Sequence, residues 1–177
     1  VPWIPYLDLA IVFFFNFGMY RESQMTTMIT NSIFESLEIT KDELFEIAKK
    51  NTPIINPKTI SSLAKVLFGF EDNKVINVLN PTLPSLFILS NNTGINGATC
   101  MMYDGVLKDF ANKMDSDLII FPSSVHEVLL LPAPNIENIE NYKDMVMDIN
   151  KNDVSKDEIL SNSIYFYDRK KDKVEIL

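Results

Sequence analysis

The sequence contains very few of the residues from which metal, redox and phosphate sites are built. Its 177 residues include one cysteine, Cys100, one histidine, His126, and 5 glycines. A single cysteine excludes an intrachain disulfide and is typical of a protein from a reducing compartment. One cysteine and one histidine are too few for a zinc site of four Cys and His ligands. The chain also has no glycine-rich nucleotide loop, H-E-x-x-H motif or calcium loop. We therefore expect no metal and no cofactor.

Long apolar segments are missing as well. The longest apolar run, "LAIVFFF" at 9 to 15, has 7 residues, whereas a membrane-spanning helix needs about 20. No positively charged segment precedes this run, as one would in a secretory signal peptide. This run therefore predicts neither a membrane-spanning helix nor a signal peptide. The first residue is Val1 rather than Met, and so we expect an N-terminal part of a longer protein to be missing.

The overall composition is that of a globular domain. Hydrophobic residues make up 46% of the chain and charged residues 23%, which is enough apolar surface for a core and too little charge for disorder. The formal net charge is −8, and a surface of that sign repels nucleic acids and anionic membranes. We therefore expect neither of these as a partner, and expect another protein or a second copy of the chain instead.

Strand patterns occur in pairs along the chain. The run "LDLAIVFFFNF" at 7 to 17 has no polar alternation, which predicts a central strand covered on both faces. The stretch "QMTTMIT" at 24 to 30 is predicted to pair with it in a hairpin. Three further hairpins are predicted nearer the C terminus: "LFILS" with "ATCMMY" across "NNTGING", "DLIIF" with "HEVLLL" across "PSSV", and "SIYFYD" with "KVEIL" across "RKKD".

Helix signals separate these pairs of strands. Thr40 and Glu43 form a capping box, and Pro53 is expected to prevent that helix from continuing. A second helix is predicted from Pro57 to a stop at Gly69, because apolar residues recur at helical spacing between them. Further helices are predicted to start at Ser32, to span 105–114 and 138–150, and to start at Ser155.

Strand pairs separated by single helices indicate an α+β fold. We expect an antiparallel sheet built from successive β-hairpins, with helices packed mainly on one face. The chain is predicted to be a single domain, 1–177, with two candidate lobes. The first, 1–69, holds an N-terminal hairpin plus helices, and the second, 85–177, has the order hairpin-helix-hairpin-helix-hairpin. The polar stretch 70 to 85, which contains two prolines, would be the seam between the lobes.

The segment "FPSSVHEVLLLP" at 121 to 132 has two interpretations. In the structural one, Ser123 and Ser124 are turn residues whose hydroxyls cap backbone groups, and His126 and Glu127 open the following strand. In the functional one, His126 is a catalytic base beside a serine hydroxyl. An extended strand places Ser124 and His126 on one face and Glu127 on the other, so Glu127 would not orient the ring. We favour the structural interpretation.

Two other reactive groups are interpreted as structural. Cys100 lies in a predicted strand, and free cysteines are among the most buried residue types. Asp104 precedes the predicted helix at 105–114 and is expected to be its N-cap. A catalytic His126 would need an acid such as Asp104 or Asp8 to orient its ring.

Much of the chain resembles a known family. The stretch "NGATCMMYDGVLKDFANKMDSDLIIFPSSVHEVLLLPA", followed by "MVMDIN" and "DEILSNSIYFYD", resembles an uncharacterised domain-of-unknown-function family of Gram-positive, mostly anaerobic bacteria. Such proteins carry a P-S-S-(I/V)-H-E-V stretch and an L-S-(D/N)-x-(I/V)-Y-x-Y-D stretch. The resemblance implies a bacterial, cytoplasmic protein with a further N-terminal region, and it implies no activity. It marks Ser123, Ser124, His126 and Glu127 as motif positions.

Two functional hypotheses follow. The first is a non-enzymatic bacterial binding or regulatory domain that acts through a partner protein, using an exposed sheet face or open sheet edges. The second is a small hydrolase or transferase with His126 as the base and Ser123 or Ser124 as the nucleophile. The surroundings of His126 distinguish the two, because an enzyme needs the ring in a concave pocket beside a hydroxyl and a second carboxylate.

Overall fold

Strand pairing is antiparallel in every sheet of the described residues. The computed structural model describes residues 1–21, 23–68, 86–133 and 139–177. These residues form two units, Val1–Ile55 and Asn56–Leu177, and antiparallel sheets with helices confirm the α+β class. The predicted seam at 70 to 85 lies outside the described residues, so lobes at 1–69 and 85–177 stay a prediction.

The first unit consists of two β-hairpins and two helices. Its elements are β1 (Trp3–Tyr6), β2 (Leu9–Val12), β3 (Phe14–Tyr20), β4 (Ser23–Met28), α1 (Asn31–Ser36) and α2 (Lys41–Ile55). β1 pairs with β2 and β3 pairs with β4, so each sheet has two strands. Phe13, between β2 and β3, is buried together with Ile29 and Leu44 in the core of this unit.

The apolar run at 7 to 17 is therefore two strands, and the prediction of one central strand covered on both faces was wrong. A unit of this size has one small core, which covers only one side of these strands. The side chains of Phe14 and Phe17 are 42% and 66% exposed as a result. The predicted hairpin with residues 24 to 30 is confirmed by the pairing of β3 with β4.

Local sequence determines the helix caps of this unit. The Thr40 N–H donates to the Glu43 carboxylate at 2.8 Å, and the Glu43 N–H donates to the Thr40 hydroxyl at 3.2 Å, which confirms the capping box. The cap of α1 is Thr30 rather than Ser32, because the Ile33 N–H donates to the Thr30 hydroxyl.

Pro53 does not end α2, which continues to Ile55. A proline this close to the end of a helix removes one backbone hydrogen bond and interrupts only the last turn. The Thr52 hydroxyl donates to the Ala48 carbonyl at 2.7 Å and adds a hydrogen bond to the same turn. The predicted stop at this proline was wrong.

The second unit is built on one six-stranded sheet. Its elements are β5 (Lys58–Ser62), α3 (Leu63–Phe68), β6 (Phe87–Asn91), a 3₁₀ helix (Gly97–Met102), α4 (Val106–Met114), β7 (Leu118–Ser124), β8 (Glu127–Pro132), α5 (Ile139–Asn152), β9 (Tyr165–Asp168) and β10 (Lys173–Ile176). The strand order is β10-β9-β7-β8-β6-β5. The hairpins β7–β8 and β9–β10 confirm two predictions, and α4 and α5 confirm two more.

The pairing of β6 corrects two predictions. β6 pairs with β5 along one edge and with β8 along the other, so residues 98 to 103 have no free edge to join. They lie in the 3₁₀ helix instead of a strand. The same pairing makes Lys58–Ser62 a strand where helical spacing predicted a helix from Pro57, and only Leu63–Phe68 is helical. The predicted stop at Gly69 lies outside the described residues.

Residues 154 to 159 also differ from the prediction. They form a turn, in which the Glu158 N–H donates to the Ser155 carbonyl at 2.8 Å, and not the start of a helix. The Glu158 carbonyl in turn accepts the Val125 N–H at 2.9 Å. This backbone hydrogen bond holds the segment to Val125. In a helix, the same carbonyl would instead accept a hydrogen bond from an N–H of the helix itself.

The two long helices of this unit lie on opposite faces of the sheet. Phe110 of α4 contacts Phe87 with ring centroids 5.0 Å apart, and Tyr142 of α5 contacts Phe121 at 5.3 Å. Phe87 is paired with Leu130 and Phe121 with the adjacent Leu129, so the two phenylalanines face opposite sides. Helices mainly on one face were expected, but β7 and β8 are apolar on both faces and need cover on both.

Candidate functional site

His126 lies in the two-residue turn between β7 and β8. Ser124 pairs with Glu127 across this turn, and a register shift separates that pair from Phe121. The prediction that His126 opens β8 was wrong by one residue, because the shift moves the turn toward the C terminus. The strand face that Ser124 and His126 were expected to share does not extend through the turn.

Both ring nitrogens of His126 have partners. The Asn96 N–H donates to Nδ1 at 3.1 Å, so the neutral ring carries its proton on Nε2. Nε2 is 3.5 Å from the Glu158 carboxylate, and the two side chains are 34% and 48% exposed. A general base needs a free lone pair within reach of substrate, and the only lone pair of this neutral ring is accepting the Asn96 amide.

Three further hydrogen bonds connect the backbone of the turn to neighbouring segments. The Ser90 hydroxyl donates to the His126 carbonyl at 2.8 Å, the Ala98 N–H donates to the Val125 carbonyl at 3.2 Å, and the Val125 N–H donates to the Glu158 carbonyl at 2.9 Å. Together with the two ring contacts, these bonds join β6, the start of the 3₁₀ helix and the 155–158 turn to the β7–β8 turn. We call this set the His126 clasp: Ser90, Asn96, Ala98, Val125, His126 and Glu158.

The other three motif residues, Ser123, Ser124 and Glu127, are close neighbours of His126 in the chain. The Ser124 hydroxyl accepts the His126 N–H at 3.0 Å, which is a common way for serine to stabilise a turn. The Ser123 hydroxyl donates to the Glu127 carboxylate at 3.4 Å. The structure thus brings all four residues together, but the hydrogen bonds of the two hydroxyls go to a backbone amide and to Glu127 and not to the imidazole. Their catalytic role stays a prediction.

Gly97, the glycine of the Asn-Gly pair that ends the predicted turn "NNTGING", has a further role in this region. A Cβ atom on Gly97 would overlap the Ser90 hydroxyl and would lie 2.5 Å from the His126 carbonyl oxygen. Asn96 before it has φ = +52°, a left-handed conformation that asparagine tolerates. The Asn-Gly pair was interpreted as part of a hairpin turn. The left-handed backbone that such a pair favours is present at Asn96, but the residues that follow form a 3₁₀ helix instead of a strand.

Asp104 directly precedes the N-cap of α4, and Cys100 lies in the 3₁₀ helix. The N-cap of α4 is Gly105 at φ = +76°, with no side-chain cap bond, so the prediction of Asp104 as the cap was wrong. Cys100 is fully buried in the 3₁₀ helix, and this burial raises the pKa of its thiol to about 11. A thiol with that pKa is protonated at neutral pH and is a poor nucleophile. Asp8, the other acid considered for His126, belongs to the first unit.

Ion and membrane sites are not evident in the described part of the chain. Residues 1–21, 23–68, 86–133 and 139–177 contain no group of three or more His, Cys, Asp or Glu side chains placed to hold a metal ion. None of the helices in these ranges has the length and hydrophobicity that crossing a bilayer requires.

An apolar groove lies between α5 and the sheet face formed by β7 and β8. It has a volume of about 170 Å³, and Met145 and Ile149 leave it open to solvent, being 43% and 42% exposed. We call it the α5 groove; its lining residues are Leu86, Phe121, Pro122, Ser123, Leu129, Leu131, Tyr142, Met145, Val146, Ile149 and Asn150. Pro122 and Ser123 of the histidine segment therefore line this groove, whereas His126 does not.

One buried amide stands out in this apolar lining. Asn150 is only 4% exposed. Its side-chain nitrogen donates to the Ser161 carbonyl at 2.8 Å and to the Asn162 side-chain oxygen at 2.9 Å. Both amide protons are thereby used, which fixes the orientation of the group. Among the described residues, no buried side-chain nitrogen or oxygen atom is without a hydrogen-bond partner.

A model of a family of unknown function, DUF5688, matches residues 1–169. The chain belongs to this family. No curated protein and no solved structure matches the chain. Membership of the DUF5688 family covers both units and assigns no activity to either.

Proposed function

We propose that this protein is a non-enzymatic binding domain whose α5 groove receives one side chain of a partner protein. The observation that carries the proposal is the groove itself: an open apolar concavity lined by aliphatic and aromatic side chains. Exposed apolar concavities on a folded domain mark interaction sites.

The size of the groove favours a single side chain over a whole small molecule. Small-molecule sites usually enclose about 300–1,000 Å³, and the α5 groove has about 170 Å³. An apolar cavity of about 150 Å³ is known to take one benzene ring. Protein interfaces are often held by one or two such rings inserted into a pocket of the partner, and that is the scale of this groove.

The His126 clasp supports a non-enzymatic function. A hydrolase or transferase built on His126 with Ser123 or Ser124 needs the imidazole to accept a proton from a serine hydroxyl. In the structure, the ring nitrogens instead contact the Asn96 amide and the Glu158 carboxylate. We propose that the motif positions Ser123, Ser124, His126 and Glu127 hold the β7–β8 turn, which directly follows the part of β7 that lines the groove.

The setting of the protein is part of the same proposal. The family resemblance and the single cysteine support a cytoplasmic protein of a Gram-positive bacterium. The net charge of −8 supports a protein partner, or a second copy of the chain, rather than nucleic acid or an anionic membrane.

Site-specific photo-crosslinking in the producing cells tests the proposal. Met145 lines the groove and is 43% exposed, whereas Met147 on the same helix is 50% exposed and is not part of the lining. A photo-reactive phenylalanine analogue at position 145 should give one discrete protein adduct, and the same analogue at 147 should not. An adduct of twice the chain mass would identify a second copy as the partner. Equal labelling from both positions, or none from either, would overturn the proposal.

A further inference from the structure

We propose that the outer edge of β10 pairs with β10 of a second copy of the chain, in antiparallel orientation, so that two six-stranded sheets join into one. This surface is separate from the α5 groove, whose lining contains no residue of β10, and the proposal goes beyond the binding function argued above. It combines an edge strand, the direction of its backbone groups and a charge pattern that is complementary to itself.

β10 is one edge of the six-stranded sheet. Among the described residues it pairs with β9 alone. The Leu177 N–H donates to the Ile164 carbonyl at 2.9 Å, which extends the β9–β10 ladder by one residue. Because the direction of hydrogen bonding alternates along an antiparallel strand, the backbone N–H and C=O groups of Val174 and Ile176 point away from β9. The edge therefore offers the donors and acceptors of two residues to a further strand.

The charges of β10 are complementary to those of a second β10. Lys173 and Glu175 lie on the same face of the strand, two residues apart, with side chains that are 65% and 42% exposed. When two β10 strands pair about a two-fold axis at Val174, Lys173 of each copy lies opposite Glu175 of the other. On the other face, the two Val174 side chains lie opposite each other. Opposite charges and β-branched side chains across an antiparallel pair are both stabilising.

The same charges select the register. Pairing Val174 with Ile176 of the second copy would place Glu175 directly opposite Glu175, and like charges in that position are destabilising. Within one strand, the Lys173 ammonium already contacts the Glu175 carboxylate at 3.0 Å. An exposed contact of this kind contributes little to stability, so exchanging it for the two ion pairs between copies costs little.

The other edge strand of the sheet shows the contrast. A lysine on an edge strand ordinarily discourages pairing. β5, with the sequence KTISS, carries Lys58 and no carboxylate, which fits that protective role. In β10, the glutamate two residues after the lysine compensates its charge across the two-fold axis. β10 is therefore the edge that a second copy of the chain fits.

Sedimentation equilibrium of the 177-residue chain tests the proposal. The edge of a strand of 4 residues is a small interface, so we expect a weak dimer with a dissociation constant on the order of 100 μM. Lys173→Glu should raise this constant about tenfold, because both ion pairs become repulsive, and Glu175→Lys should do the same. Lys170→Glu, at an exposed position of the neighbouring turn, changes the net charge by the same amount as Lys173→Glu and should leave the constant nearly unchanged.

Combining the two charge reversals gives the decisive control. The double variant Lys173→Glu/Glu175→Lys restores opposite charges at both pairs and should dimerise as the wild type does. An equimolar mixture of the two single variants should form a mixed dimer for the same reason. Circular dichroism reports whether each variant has folded. On the wild type, the amide NMR resonances of Val174 and Ile176 should shift on dilution, so the proposal is decided even where a variant does not fold.

Four results would overturn the proposal. They are a wild type that stays monomeric up to about 1 mM, assemblies larger than a dimer, equal effects of Lys173→Glu and Lys170→Glu, and a folded double variant that associates no better than the single ones. Amide resonances of β10 that do not respond to dilution would contradict it as well. None of these results bears on the α5 groove, which the crosslink from position 145 tests.

Discussion

The imidazole of His126 lies between the Asn96 amide and the Glu158 carboxylate. Through these contacts a single side chain connects the β7–β8 turn to two segments that are distant in sequence. The Cys100 thiol is buried in the same unit with its pKa raised to about 11, and it is therefore unreactive at neutral pH. At the scale of the residue, the single cysteine and the single histidine of the sequence serve packing and hydrogen bonding.

Replacing His126 tests its structural contribution. His126→Ala removes the acceptor for the Asn96 N–H and the contact with Glu158, and we expect the free energy of unfolding to fall by about 1 kcal/mol. The loss stays modest because water can reach the partly exposed amide and carboxylate. Urea unfolding followed by circular dichroism measures the change, with exposed Lys156→Ala as the control. An unchanged His126→Ala variant would contradict a structural role for the ring.

Gly97 gives a stricter test of the same region. Gly97→Ala places a methyl group against the Ser90 hydroxyl and the His126 carbonyl, and we expect a loss of about 1–3 kcal/mol in the free energy of unfolding. Ser90→Ala alone should also destabilise the chain, because it removes the hydrogen bond to the His126 carbonyl. The double variant should lose less than the sum of the two single losses, since it removes the atom nearest to the methyl group, while the His126 carbonyl and the Asn91 nitrogen remain. Urea unfolding of the single and double variants measures both effects. Native stability of Gly97→Ala would show that the close approach does not exist.

At the scale of the element, the turn between β9 and β10 is held by charged groups. The Asp172 carboxylate accepts hydrogen bonds from the Lys108 ammonium at 2.8 Å and from the Tyr167 hydroxyl at 2.6 Å. These two contacts, that of Lys108 first, lower the pKa of Asp172. In the same turn, the backbone amide of Lys171, followed by its side chain, lowers the pKa of Asp168. The turn therefore depends on ionised aspartates.

These shifts predict loss of stability in acid. A carboxyl group whose pKa is lower in the folded chain binds fewer protons there than in the unfolded chain. Its contribution is complete above the unfolded pKa of about 3.9 and disappears as the pH falls through the lower, folded pKa. We expect the urea midpoint to decrease below about pH 4, and Asp172→Asn to make this decrease smaller. Exposed Asp148→Asn is the control, and an identical pH profile for wild type and Asp172→Asn would contradict the account.

Elements that depend on neighbours in sequence were predicted well. The Thr40 capping box, the amphipathic helix α4 and the tight hairpin β9–β10 are specified within a few residues. The errors at 58–62 and 98–103 have one cause. The position of β6 between β5 and β8 is a non-local pairing, and it overrides helical spacing in one segment and strand propensity in the other.

The candidate site was predictable only in part, for the same reason. The sequence identified Ser123, Ser124, His126 and Glu127 because they are contiguous. It did not indicate Asn96, which is 30 residues from His126, nor Glu158. The α5 groove was also missed, since it forms only when α5 packs against β7 and β8, and each of its residues alone resembles ordinary core.

At the scale of the whole molecule, the two units, Val1–Ile55 and Asn56–Leu177, have separate cores. The His126 clasp and the α5 groove both lie in the second unit. The DUF5688 match extends over both units. The clasp holds the turn that follows Pro122 and Ser123 in the chain, and these two residues line the groove. The histidine motif and the proposed binding surface are therefore neighbours in the chain.

Methyl NMR of methionine-labelled protein tests the central claim most directly. The chain has 8 methionines, of which Met145 lines the α5 groove and Met147, on the same helix, does not. On addition of 4-methylphenol, the side chain of tyrosine, we expect the Met145 methyl resonance to shift in a saturable manner while the Met147 resonance stays in place. A Met145 resonance that does not respond, or that shifts no more than that of Met147, would contradict the claim that this groove is where the protein binds its partner.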